Sequence, residues 1–137
     1  MKLKKIIHTP DAPAPIGPYS QAVHAGNLLF MSGQVAINPS TGELVLESIE
    51  AETKQVMENL RSLLIPVAGS FDDVVMATIY LSDMAHFGKV NAIYGSYFKE
   101  GAYPARATIA VKELPKSVNV EISLIVSVRE SSFQPWQ

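Results

Sequence analysis

Arginine and glutamate are residue types with which a chain can hold an organic acid and move a proton or a water beside it. This sequence places one of each in its last two apolar stretches. Residues 105–111 carry Ala105, Ala107, Ile109 and Val111 at alternate positions, with Arg106, Thr108 and Ala110 between them. Residues 119–128 carry Val120, Ile122, Leu124, Val126 and Val128, with Asn119, Glu121, Ser123 and Ser127 between them. This alternation is that of β-strands, whose successive side chains point to opposite faces. If both apolar sets face one core, Arg106 and Glu121 share the other face. A cation and a carboxylate so placed form either a structural ion pair or a site. In a site, the guanidinium binds a carboxylate through two parallel hydrogen bonds and the glutamate handles a proton or a water. Spacing alone leaves both readings open.

Four further residues are candidates to line such a site. Ser32 and Gly33 close an apolar strand, where a hydroxyl and a backbone N–H can meet a ligand or simply begin a loop. Asn91 lies beside the stripe Phe87, Val90 and Tyr94, where it either faces a ligand or caps a neighbouring loop. Tyr19 follows Gly17-Pro18, so a stiff backbone fixes its ring, in a pocket or in the core. Other chemistries lack their residues. The chain has no cysteine, which removes disulfides, thiolate metal sites and a thiol nucleophile. His8, His24 and His86 show no ligand spacing, so no metal is expected. There is no phosphate-binding glycine loop and no Gly-x-Ser-x-Gly.

These residues need a scaffold, and 137 residues with 47% hydrophobic and 18% charged side chains suffice for a single domain with a true core. The formal net charge of -2, with basic residues scattered apart from Lys2, Lys4 and Lys5, argues against binding nucleic acid. No stretch approaches the ~20 apolar residues of a membrane span, and the N-terminus lacks a signal-peptide core. A soluble cytoplasmic protein is expected. Residues 2–8 form a short strand. The proline-rich stretch from Pro10 to Pro18 is an extended connection. Residues 21–25 and 28–34 are strands joined at Gly26-Asn27. Ile49, Val56, Leu60, Leu63, Leu64 and Val67 mark a helix, with Glu50, Glu52, Lys54, Glu58 and Arg61 mostly between them and Gly69 as its stop. Residues 73–81 form a strand. A second helix carries Phe87, Val90, Tyr94 and Phe98 on one stripe and ends by Gly101. The order β-β-β-α-β-α-β-β is an α+β fold, a mixed sheet with its two helices on one face. Residues 28–31 and 74–81 are apolar on both faces, however, and no element remains to cover the second one. An oligomer is the simplest cover, with any cleft lying between subunits.

The stretch Pro104-Ala-Arg106-Ala-Thr-Ile-Ala-Val, with Asn119-Val-Glu121-Ile after a short loop, resembles the C-terminal signature of the RidA/YjgF family of reactive-intermediate deaminases. Three further segments agree: Ala14-Pro-Ile-Gly-Pro-Tyr19-Ser-Gln-Ala-Val, Leu29-Phe-Met-Ser32-Gly33-Gln, and Phe87-Gly-Lys-Val-Asn91-Ala-Ile-Tyr94. The resemblance covers roughly residues 5–128. It implies a chorismate-mutase-like fold assembled as a homotrimer with intersubunit sites. It also implies hydrolysis of 2-imino acids, tautomers of enamines such as 2-aminoacrylate, to 2-keto acids and ammonia without a cofactor. By that resemblance Arg106 holds the substrate carboxylate and Glu121 orients or activates the water. Gly33 offers its N–H, while Tyr19, Ser32 and Asn91 line the pocket. Many members carry a cysteine just after this arginine, where the present chain has Ala107. The Ala107 backbone can still meet a ligand, but thiol-based regulation is not expected. Some relatives are labelled endoribonucleases, and a non-catalytic trimer that binds keto acids would use the same arginine; both remain alternatives.

Overall fold

Gly26 takes a left-handed φ of +62° and turns the chain tightly between Ala25 and Leu28, which pair across the hairpin. A residue with a Cβ adopts that conformation only at a cost. The hairpin belongs to a computed structural model that describes residues 3–129. Its strands are β1 (Lys5–Ile7), β2 (Ala22–Ala25), β3 (Leu28–Gln34), β4 (Val74–Leu81), β5 (Ala105–Ala110) and β6 (Val120–Ser127). Its helices are α1 (Ile49–Leu64), between β3 and β4, and α2 (Phe87–Gly95), between β4 and β5. The expected element order is borne out. The C-terminal stretch 131–137 lies outside the described residues.

The Ser48 hydroxyl accepts from the Ala51 N–H and starts α1, as a helix N-cap does. The helix turns Val56, Met57, Leu60, Leu63 and Leu64 inward. It runs into a single 3-10 turn over Ile65–Val67 and stops at Ala68, whose φ is 54°. The left-handed stop is thus Ala68, one residue before the expected Gly69. Glu52, one of the charged residues set between the apolar positions of this helix, is fully buried. Its carboxylate accepts from the Asn119 backbone N–H at 2.8 Å, the Asn119 side-chain amide at 2.8 Å and the Val120 N–H at 2.9 Å. A carboxylate at the start of α1 therefore anchors the start of β6.

The strands form one mixed sheet in the order β1-β2-β3-β6-β4-β5. Only β4 and β5, linked through α2, run parallel; the other neighbours are antiparallel. Both helices cover one face, where Leu29, Met31, Ala77, Ile79, Leu81, Ile122, Leu124 and Val126 are buried. On the other face the register lines up Ile6, Val23, Phe30, Ile125, Met76 and Ala105 as one row across all six strands. Ile6 is 51% exposed and Phe30 44%, so this apolar row is uncovered within one chain.

The register corrects the expectation that Arg106 and Glu121 share a face. β4 separates β5 from β6. Arg106 stands beside Ala77, under the helices, whereas Glu121 stands beside Tyr80 on the opposite face. The pattern misled because β5 is an edge strand. Its alternate residues Ala105, Ala107 and Ile109 point to the uncovered face, and the aliphatic stem of an arginine suits the core margin under α2.

Candidate active site

The arginine half is built on α2. Phe87, Asn91 and Tyr94 recur at i, i+4 and i+7 and so share one stripe of the helix. Arg106 projects into that stripe from β5. Its guanidinium carbon lies 5.6 Å from the Phe87 ring centre and 5.2 Å from that of Tyr94. Its Nη1 donates to Asn91 Oδ1 at 2.7 Å. Among the described residues no carboxylate lies within ion-pair distance of Arg106. Ring contacts consume no N–H donor, so the donors not given to Asn91 are free for an anion. Tyr103 and Pro104, which sequence reasoning did not single out, wall the adjoining hollow with Asn91 and Tyr94.

The glutamate half lies on the uncovered face. Tyr19, Ser32, Gly33 and Glu121 line a cavity of about 640 Å³ together with Pro13, Ile16 and Ile37. The pairing of β3 with β6 slips between Met31 and Gln34, which leaves Gly33 in a bulge outside the ladder. Glu121 lies against that bulge. Partial burial holds its carboxyl above the usual glutamate range, because desolvation penalises the ionised form. Such a group takes a proton from water and returns it nearer neutral pH than an exposed glutamate does.

Ser32 is in the cavity wall, but its polar groups are already engaged. Its hydroxyl donates to the Ser20 carbonyl at 2.6 Å and its N–H to the Gln21 carbonyl at 3.0 Å. It therefore ties the proline-rich segment to the sheet. Tyr19 is 52% exposed rather than a core aromatic, and its hydroxyl accepts from the Ile16 N–H at 3.3 Å. Gln21, which the sequence did not flag, is buried and fixes the same segment. Its Oε1 accepts from the Thr9 N–H at 2.8 Å, and its Nε2 donates to the Pro13 carbonyl at 2.9 Å. Lys116, with an unusual left-handed φ of 57°, is a further unpredicted wall residue.

Within one chain the expected site is thus divided. Tyr19, Ser32, Gly33 and Glu121 come together in one cavity; Asn91 and Arg106 come together in another. Ala107 points to the uncovered face beside Thr78 and lines neither. Among the described residues no cluster of His, Asp and Glu has the arrangement of a metal site. No described helix is long and apolar enough to cross a membrane.

Comparison with known proteins agrees with this architecture. The family model described as Endoribonuclease L-PSP matches residues 9–128. A RutC family protein of Pyrococcus horikoshii is 48% identical over 123 residues, covering 90% of this chain and 97% of the relative. The mouse 2-iminobutanoate/2-iminopropanoate deaminase is 46% identical over 123 residues, covering 90% of both chains. TdcF of Escherichia coli, solved with bound serine, superposes with a TM-score of 0.85 at 34% identity, covering 90% of this chain and 98% of TdcF. The chain belongs to the RidA/YjgF family, whose model carries the endoribonuclease L-PSP description.

Proposed function

We propose that the protein is a hydrolytic deaminase of small 2-imino acids, such as 2-iminopropanoate and 2-iminobutanoate, working as a homotrimer with its sites between copies. The observation that carries this reading is the Arg106 guanidinium. Two ring faces and one amide oxygen hold it, and no described carboxylate neutralises it. That is the arrangement of a receptor awaiting an organic acid. The catalytic carboxyl, Glu121, leaves the sheet on the other face, so the two groups meet when one copy supplies Arg106 and its neighbour supplies Glu121. The uncovered apolar row from Ile6 to Ala105 gives copies a reason to pack. The mouse relative's name and the serine bound to TdcF point to the same substrate chemistry.

In this reading Arg106 grips the substrate carboxylate and sets C2 over Glu121 of the adjoining copy. Glu121 takes a proton from water as the oxygen attacks C2, the C=N electrons move to nitrogen, and Glu121 hands that proton on to the nitrogen. The resulting aminol collapses: its hydroxyl proton passes to Glu121, the C–N bond breaks and ammonia leaves with the returned proton. The products are a 2-keto acid and ammonia. Only water enters the balance, so the reading assigns no cofactor. Gly33 contributes a backbone N–H, and Tyr19 and Ser32 shape the wall. Positioning supplies most of the gain, since an iminium carbon is already electrophilic.

The test is a coupled assay in which a threonine dehydratase generates 2-iminobutanoate and the release of 2-oxobutanoate is timed. Wild-type protein should speed release, and Arg106→Lys should lose most of that effect, because a point charge cannot replace a planar fork. Equal rates with wild type, Arg106→Lys and no added protein would reject the proposal. RNA cleavage lost on Arg106→Lys would favour the endoribonuclease description instead.

A further inference from the structure

We infer that Phe87, Tyr94 and Asn91 are positioning residues that hold the Arg106 guanidinium in place for substrate, with Asn91 acting through Arg106 rather than on the ligand. The inference rests on the deaminase reading for its substrate, but the clamp stands on geometry of its own. Arginine has a long, flexible stem, and an arginine free at a sheet edge samples many rotamers. Here α2 removes that freedom. Both ring centres lie within 6 Å of the guanidinium carbon, the range in which the ring quadrupole attracts a cation. The Asn91 Oδ1 contact at 2.7 Å then fixes rotation within the plane. Among the described residues this is the guanidinium's one hydrogen bond, so its remaining N–H donors are available for bidentate capture of a carboxylate.

Tyr94 separates this role from ordinary packing. The residue is only 3% exposed, and its hydroxyl has no hydrogen-bond partner among the described residues. The hydroxyl therefore adds nothing polar to the fold, and the ring face is what Arg106 uses. Removing the hydroxyl should leave receptor geometry intact, whereas removing the ring should not. Tyr94 also packs against Phe98, with ring centres 4.8 Å apart. A ring-deleting substitution there tests stability as well, so Asn91→Ala, at an exposed position, provides the independent probe.

The experiment titrates 2-oxobutanoate into the intact protein by calorimetry and measures KM and kcat for the coupled imine. Phe87→Leu, Tyr94→Leu and Asn91→Ala should each weaken keto-acid binding roughly tenfold and raise KM in step, with kcat changing less. Tyr94→Phe should restore binding to within about threefold of wild type, the ring being kept. Folded Asn91→Ala and Phe87→Leu proteins that bind as tightly as wild type would overturn the inference. A wild-type protein that binds no keto acid would sink the deaminase reading but not the clamp. The clamp is then read from the side-chain NMR signals of Arg106, assigned by their loss in Arg106→Lys. Ring-shifted signals that move to the solvent-exposed position in Asn91→Ala support it; signals already at that position in wild type refute it.

Discussion

Glu121 lies so close to the backbone of Gly33 that a β-carbon on that glycine would stand 2.6 Å from Oε2 and 2.8 Å from the carboxyl carbon. The contact occurs where the β3–β6 ladder slips, and the bulge brings the main chain toward the carboxyl. The glycine is there for closeness rather than for an unusual φ, since Gly33 is not among the residues with positive φ.

Gly33→Ala should therefore separate function from stability. The obstructing atoms belong to the end of a flexible side chain, which can swing away, so unfolding should cost no more than about 1 kcal/mol. The carboxyl would be displaced by an ångström or more, and turnover should fall about tenfold to a hundredfold. Thermal melting and the coupled imine assay on the same sample check both halves. A variant with wild-type turnover would show that the Glu121 carboxyl need not sit against Gly33.

Glu121 also predicts opposite trends for activity and stability with pH. Burial raises its folded value above the unfolded one. Its contribution to stability is therefore complete below the ordinary glutamate range and is lost as pH rises through the folded value. At neutral pH Glu121→Gln should melt no lower than wild type, and any advantage should vanish as pH falls into the ordinary glutamate range. A base must be ionised, so the acidic limb of kcat/KM should lie above the ordinary glutamate range. Melting curves and rate profiles over pH 4–8 measure both. A Gln variant less stable at pH 7 would instead give the carboxylate a structural partner.

Glu52→Ala should damage the fold and reach the site only through it. Three N–H donors of Asn119 and Val120 lose their acceptor, that of Val120 in a fully buried position and those of Asn119 in partly buried ones. Leaving buried donors unpaired costs on the order of 3–5 kcal/mol here. Urea unfolding should show that loss, and Glu121, next along β6, should lose its placement. Glu52→Gln keeps one acceptor oxygen and should fall between alanine and wild type.

Local patterns made much of this legible. β3 runs from Leu28 to Gln34 as the sequence predicts, because a continuous apolar run lies between a Gly-Asn turn and a terminal Ser-Gly. The α1 stripe emerges from helical spacing in the same way. The exceptions depend on contacts far along the chain. Glu52 reads as surface charge in its own helix; only the arrival of Asn119 and Val120 explains its burial. Ser32 reads as an open hydroxyl until the proline-rich segment crosses it. Arg106 reads to the wrong face because alternation defines two faces without naming the buried one. On an edge strand with small residues, α2 decides.

The division of the site yields the sharpest test of assembly. Arg106→Ala and Glu121→Ala should each be inactive alone. If every site takes Arg106 from one copy and Glu121 from the next, a mixed oligomer contains some sites in which both contributors are intact. For random mixing of equal amounts, each contributor is the required variant half of the time, so about a quarter of wild-type activity should return. Mixing must allow exchange, as in co-expression or joint refolding, and the mixed species should elute at the size of a trimer. If each site instead drew both residues from the same copy, every site would keep one defect and mixing would restore nothing. Activity that appears only after exchange would establish that the site is shared.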